Sequence, residues 1–352
     1  MSDSLFSFIK KHFAIALIIT IGTSGLGLIT GSLSSSPTAS NDAGQPPVDS
    51  SAASTATSSV VTTNAPATTT PPYDPGFIDT SNKEQAFAAW KTINDRPRTK
   101  MKWTGSTSTC DPGTTTQGFK EDVLARVKWF RAMAGVDANI TLNLESSRLA
   151  QEAALVMKAN DDLSHEPTES WDCFSDDAYE GASHSNLSWG DFGVVSIDGY
   201  IEDPGEDNYR VGHRRLILDP TLAEIGTGDT NITNALFVIN EITREKFTTR
   251  EPDGFVMWPP RGYVPRATIF PRWSISHPQA DFTQSKVKIE FQGRTKVINN
   301  PYSDTDTYGN LHTLVFDWIR PSKGTGSAVI TVSGIELNGT IRTVTYEVKP
   351  FG

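Results

Sequence analysis

Apolar residues recur at helical spacing in four segments between residues 80 and 205. Ser81 and Glu84 form a capping box ahead of a first helix, and further helices are predicted over 119–134, over 147–161 and after Asp191. Gly135 gives the second of these a natural end, because glycine readily takes the left-handed conformation at a helix C-terminus. The later apolar run at 235–239 predicts a strand. Helices followed by short strands indicate an α+β or three-layer domain over about 74–250.

After about residue 254 the pattern changes to alternation of apolar and polar residues. Four alternating runs lie around 287–291, 314–318, 330–332 and 344–348, and the dipeptide Asn338-Gly339 between the last two is typical of a hairpin turn. Strands without helices predict a small immunoglobulin-like β-sandwich over 255–352. We find no set of catalytic residues in this part of the sequence.

The N-terminal region carries the one long apolar run of the chain, residues 14–29, after Lys10 and Lys11. We predict that residues 1–31 are either a cleaved signal peptide or a retained membrane anchor, and both alternatives place the rest of the protein outside the cytoplasm. Residues 32–72 consist mostly of Ser, Thr, Ala and Pro and predict a disordered linker. The expected location is therefore extracellular, secreted or anchored to the outer face of the cytoplasmic membrane.

Composition narrows the classes of function. The chain has 31 Lys and Arg against 41 Asp and Glu, a net charge of −10, and no basic run that could neutralise a row of phosphates, so nucleic acid is not an expected partner. A membrane partner is expected only through an uncleaved N-terminal segment. Two cysteines, Cys110 and Cys173, fall in the part expected to be exported, where a disulfide is the simplest state and two free thiols are the alternative.

The search for catalytic motifs gives few candidates. His165-Glu166 is followed by Pro-Thr-Glu and does not form the zinc-binding His-Glu-x-x-His helix. The chain contains no Gly-x-Ser-x-Gly elbow and no phosphate-binding loop. Of the six histidines, His165, His184 and His213 lie in the helical region.

Four segments in this region resemble motifs of the CAP superfamily, the cysteine-rich secretory, antigen 5 and pathogenesis-related 1 proteins, in its bacterial branch. The alanine-rich segment 151–165 ends in Ser-His, as the family helix does. Ser-Asn-Leu-Ser-Trp-Gly at 185–190 resembles Gly-Glu-Asn-(Leu/Ile)-Ala-x-Gly, and Tyr-Ile-Glu-Asp-Pro-Gly at 200–205 resembles Trp-(Met/Ile)-x-Ser-Pro-x. Gly-His-Arg-Arg-Leu-Ile-Leu at 212–218, followed by Ile-Gly-Thr-Gly at 225–228, is similar to the family's final motif.

The resemblance implies an α-β-α sandwich with a central cavity lined by His165, Ser185, Asp203 and His213. In the family this cavity often holds two histidines and two acidic residues, which bind a divalent metal in some members. Here Ser185 replaces the glutamate, and residues 206–212 form an insertion between Asp203 and His213. His165, Asp203 and His213, with His184 as a substitute, are then the candidate ligands for a weakly bound divalent metal such as zinc.

Three functions remain open at this stage. The first is an exported binding module for a small apolar ligand, a lipid or a cell-surface partner. The second is a metal-assisted hydrolase that uses His165, Asp203 and His213, although no independent set of acid, base and nucleophile supports an enzyme. The third is a non-catalytic structural or adhesion protein of the cell surface.

Overall fold

The computed structural model describes residues 73–240, 249–251, 253–305, 310–319 and 326–352. The predicted signal or anchor and the linker lie outside the described residues. Within them, no helix is both long and apolar enough to cross a membrane.

Six α-helices lie between residues 83 and 217 of the described chain. They are α1 (Lys83–Asn94), α2 (Gln117–Ala134), α3 (Leu144–Asn160), α4 (Asp176–Ser183), α5 (Val194–Glu202) and α6 (Gly212–Ile217). The helices predicted over 119–134, over 147–161 and after Asp191 are confirmed as α2, α3 and α5. Gly135 ends α2 in the left-handed conformation, with φ 76°.

The predicted capping box is wrong by one residue. Asn82 is the N-cap of α1, and its side chain accepts a hydrogen bond from the Gln85 amide. The Ser81 hydroxyl instead donates to Asp79. Asn is as good a cap as Ser, so a cap motif that is read from sequence alone can slip by one position.

Within the described ranges, thirteen strands form three sheets. The strands are β1 (Thr141–Leu142), β2 (Ser185–Trp189), β3 (Glu224–Asp229), β4 (Thr233–Phe237), β5 (Val256–Trp258), β6 (Gly262–Pro265), β7 (Arg272–His277), β8 (Lys286–Phe291), β9 (Arg294–Ile298), β10 (Tyr302–Asp304), β11 (His312–Asp317), β12 (Ala328–Leu337) and β13 (Thr340–Phe351). Their orders are β1-β3-β4-β2, β10-β11-β7-β5 and β6-β13-β12-β8-β9.

The first sheet lies between two helical layers. Successive residues of β4 face opposite sides: Leu236 belongs to the core shared with α2 and α5, whereas Ala235 and Phe237 belong to the core shared with α3 and α4. This alternation is that of a strand buried on both faces. The α-β-α sandwich that the resemblance implies is thus present.

Two glycines set how closely α3 approaches the sheet. A Cβ atom at Gly226 or Gly228 would lie 2.2 Å from backbone atoms of Ser146 or Ala150 in α3. No side chain fits in that space, so the Ile-Gly-Thr-Gly segment allows direct contact between helix and strand.

The C-terminal region is β-rich, as predicted. Its two sheets share one apolar core, to which β7 and β11 contribute from one sheet and β8, β12 and β13 from the other. Asn338 and Gly339 both have positive φ and connect β12 to β13, so the predicted hairpin is confirmed. The described residues belong to one compact unit, and the predicted division between 250 and 255 stays a prediction.

Candidate functional site

The predicted site is built around the pair His213 and Asp203. Asp203 is the C-cap of α5, with φ 55° and ψ 54°, and is almost completely buried. Its Oδ1 atom lies 2.8 Å from Nδ1 of His213, near the start of α6, and its Oδ2 accepts from the Arg214 amide at 3.3 Å. The left-handed turn therefore directs the carboxylate to the next helix, where it fixes the imidazole ring. In its neutral form, His213 then has Nε2 as an acceptor.

His165 is the second histidine of the site. It follows α3, and its Nδ1 lies 2.9 Å from the carbonyl oxygen of Ala182, near the end of α4. Burial lowers the pKa of His165 to about 4; the Ala182 hydrogen bond opposes the shift, and the nearby His213 adds to it. At neutral pH the ring is therefore uncharged and donates to Ala182, so its Nε2 is an acceptor.

Asn186 and Tyr200 support His213 and were not selected from the sequence. The Asn186 side chain donates to the backbone oxygen of His213 at 3.2 Å, and the rings of Tyr200 and His213 lie 5.4 Å apart. The Tyr200 hydroxyl contacts the Asn186 carbonyl and the Asn234 side chain. Both residues occur within the family-like segments, which was the signal available in the sequence.

Ser185 occupies the first position of β2 and is buried. Its hydroxyl has no hydrogen-bond partner among the described residues, and the same holds for the side-chain oxygen of Asn186. Buried polar atoms without partners are uncommon in folded proteins. The Ser185 hydroxyl and the Asn186 side-chain oxygen are therefore free to bind a ligand, and Asn186 is the residue that contacts His213.

The buried carboxyl group of Asp229 is hydrogen-bonded to Asn234, the side chain that the Tyr200 hydroxyl also contacts. Asp229 accepts from the Gly193 amide at 2.7 Å and from the Asn234 side chain at 2.8 Å, and Thr227 also donates to it. Burial raises the pKa of Asp229 to about 6, although these hydrogen bonds oppose the shift. Asp229 holds the start of α5, whose far end carries Asp203.

His184 does not join the site. Its ring stacks on Phe237 with centroids 5.3 Å apart, and its Nδ1 lies 3.0 Å from the carbonyl oxygen of Glu180. The stacking and the local hydrogen bond hold the ring against α4 and β4, so it does not replace the missing glutamate.

The predicted zinc set is therefore not assembled. Nowhere in the described part of the chain do three His, Cys, Asp or Glu side chains come together as a metal site. Both oxygens of Asp203 are already hydrogen-bonded within the protein, and His184 lies elsewhere. A zinc site needs at least three protein ligands, so the residues present do not fit this metal.

The disulfide between Cys110 and Cys173 is present, with Cα atoms 5.1 Å apart. It joins the turn before α2 to the loop that follows His165. The bond closes a loop with a sequence separation of 63 residues and ties two irregular segments together.

The C-terminal sandwich holds the helix that carries His213. Arg214 is fully buried; it donates to the backbone oxygens of Ile201, Glu202 and Arg272 and to the Ser274 hydroxyl. Arg215 pairs with Asp304 of β10 at 2.7 Å. The two arginines that follow His213 thus reach into the neighbouring sheet and position α6.

The matched family model agrees with this architecture. Residues 124–240 match the model described as the cysteine-rich secretory protein family, CAP. The bacterial branch that the motifs suggested stays a prediction. No curated protein and no solved structure gives a significant match. The matched range contains the whole sheet β1-β3-β4-β2 and every residue of the candidate site. The chain therefore carries a CAP domain of the cysteine-rich secretory protein family.

Proposed function

We propose that this protein is an exported binding protein whose CAP domain holds a small, largely apolar ligand at the site of His165 and His213. The observation that carries the proposal is the arrangement of the two rings. Each has its Nδ1 bound to an acceptor of the protein, Ala182 in one case and Asp203 in the other. In each ring Nε2 is thus the nitrogen left for a ligand, and the uncharged His165 ring presents it as an acceptor.

This chemistry suits a ligand that carries a hydrogen-bond donor, such as the hydroxyl or amide head of a lipid. The low pKa of His165 keeps that ring uncharged at neutral pH, which favours a neutral donor over an anionic group. The unpartnered Ser185 hydroxyl adds one donor and acceptor close by. A disulfide is in keeping with export, because such bonds persist in oxidising compartments.

We do not propose the hydrolase. No hydroxyl or thiol of the described residues is hydrogen-bonded to the His213 ring, so a histidine-activated nucleophile has no support. The three-ligand metal site that the alternative mechanism needs is also missing from the described residues.

Native mass spectrometry of the gently purified full-length protein tests the proposal. We expect a small organic molecule on the wild type and its loss in His213→Ala. His312→Ala is the matched control, because His312 also places Nδ1 2.9 Å from a backbone oxygen, that of Ala280, but lies in the sandwich. The control should retain the molecule.

Four results would contradict the proposal. A wild-type protein without any bound molecule favours a purely structural role. Equal loss of the molecule from both variants shows that it binds elsewhere. Hydrolysis of a nitrophenyl ester that disappears in His213→Ala shows catalysis, and a rise in the melting temperature with added zinc would restore the metal site.

A further inference from the structure

A cleft lies where the sandwich meets the chain between α5 and α6. Its volume is about 430 Å³, within the range of small-molecule sites. Its walls come from β9, β10 and the connection between them, from residues of β7 and β11, and from Tyr209. Strands β9 and β10 are the edge strands of the two sheets, so the cleft lies at the open side of the sandwich.

Two tyrosines form one wall of the cleft. The rings of Tyr209 and Tyr302 meet edge to face, with centroids 4.7 Å apart. Tyr209 is 44% exposed, although an aromatic residue in a loop gains little by facing water. Val297 of β9 is also exposed and extends the apolar surface.

Polar groups face this wall. Asn299 and Asn300 are exposed, and their amides have no hydrogen-bond partner among the described residues. Asp317 pairs with Arg272 at 3.1 Å, yet its side chain is 65% exposed. Amides and carboxylates each offer two atoms to a ligand, which suits paired hydroxyl groups.

From this combination we propose that the cleft is a carbohydrate-binding site for a short oligosaccharide. A sugar ring has an apolar face of C–H groups, which packs on an aromatic ring, and a rim of hydroxyl groups, which bind to amides and carboxylates. Tyr209 and Tyr302 supply the first contact, and Asn299, Asn300 and Asp317 supply the second.

An added peptide strand is the competing occupant, because both walls are edge strands. The edge of β9 carries the exposed side chains of Arg294 and Lys296, and charged residues at an edge discourage strand pairing. Two exposed amides and an aromatic pair are also not needed for main-chain pairing. The side chains that line the cleft therefore favour a saccharide over an added peptide strand.

Saturation-transfer NMR of the full-length protein tests the proposal with four soluble trisaccharides: cellotriose, maltotriose, chitotriose and mannotriose. We expect transfer to at least one of them, and a dissociation constant about tenfold higher in Tyr209→Ala, equivalent to about 1.4 kcal/mol, because the variant lacks the ring on which the sugar packs. Asn299→Ala should also weaken binding and does not alter the core, because the residue is exposed.

Tyr179→Ala is the matched control, because Tyr179 is 42% exposed and lies on α4, away from the cleft. It should leave saccharide binding unchanged. Absence of transfer to all four trisaccharides, or equal loss in the control variant, would overturn the proposal. Shifts of β9 amides with an alternating Thr-Val peptide, without any effect of the saccharides, would assign the cleft to strand addition instead.

Discussion

Replacing the buried Arg214 by methionine should destabilise the whole folded unit. The guanidinium donates to four acceptors at 2.6 to 3.0 Å, three backbone oxygens and the Ser274 hydroxyl. Methionine fills most of the volume but removes this donor from all four acceptors. Each buried acceptor left unsatisfied costs on the order of 1–3 kcal/mol, so the gross loss for four of them is roughly 4–12 kcal/mol.

Part of that loss is recovered, because burying the charge is itself unfavourable. Burial lowers the pKa of Arg214 to about 10, which corresponds to a desolvation cost of roughly 3 kcal/mol that methionine does not carry. The expected net loss in free energy of unfolding is therefore about 1–9 kcal/mol. Arg214→Lys keeps the charge but not the fork of donors, and should fall between the two.

Urea unfolding, followed by tryptophan fluorescence and by circular dichroism, measures this loss. The buried Trp129 reports on the helical layers and Trp273 on the sandwich. Arg342→Met is the control, because Arg342 is exposed on β13 and should change stability by less than about 0.5 kcal/mol. A loss below about 1 kcal/mol in Arg214→Met would refute the claim that the sandwich holds α6.

Three further predictions follow from other parts of the structure. Replacing both cysteines by serine should reduce stability by about 4 kcal/mol in the chain-entropy model for a loop of this separation, and an unchanged urea midpoint would contradict it. A chain ended at residue 250 should lose cooperative melting, because Trp258 packs on Phe130 with centroids 5.1 Å apart; a sharp transition would instead support independent domains. The pKa of His165 is about 4 in the folded and 6.5 in the unfolded protein, so the stability that its neutral ring contributes, roughly 3 kcal/mol at most, is complete above pH 6.5 and is lost as the pH falls to 4. His165→Asn should therefore lose less stability than the wild type between pH 6.5 and pH 4. Identical losses over that range would contradict the prediction.

Asp229 acts in the opposite direction over a similar range. Its pKa is about 6 when folded and 3.8 when unfolded, so its ionisation opposes folding above pH 6 and the penalty disappears as the pH falls to 3.8. The wild-type profile therefore contains two partly cancelling contributions. For this reason the comparison between wild type and His165→Asn is more informative than the wild-type curve alone.

Regular elements and local turns were largely predictable from the sequence. The helix that ends at Gly135 and the hairpin at Asn338-Gly339 follow from local conformational preferences, which need no knowledge of distant residues. Helix α4 was not predicted, because its eight residues give too short a pattern to distinguish from a loop. The N-cap of α1 is Asn82 and not the predicted Ser81, because neighbouring polar residues compete for the same position.

The site was predictable only where short motifs carried it. The family-like segments identified His165, Asp203 and His213, and the structure brings Asp203 and His213 into contact. The sequence did not show that Arg214 reaches Ser274 or that Tyr209 meets Tyr302, because such contacts depend on how distant segments pack. It also did not show that Asp229 is buried, since an acidic residue near a turn normally faces solvent.

The apolar core of the CAP domain has a consequence for how such proteins exchange parts during evolution. The family pattern covers residues 124–240, but Ile78 and Ile93 before it and Trp258 after it belong to the same core. A recombination event that moved only the patterned segment would expose the surfaces that these three side chains cover. The segment that is inherited as a unit therefore has to extend beyond the recognisable motif on both sides, or the recipient has to supply apolar side chains of its own at the same places.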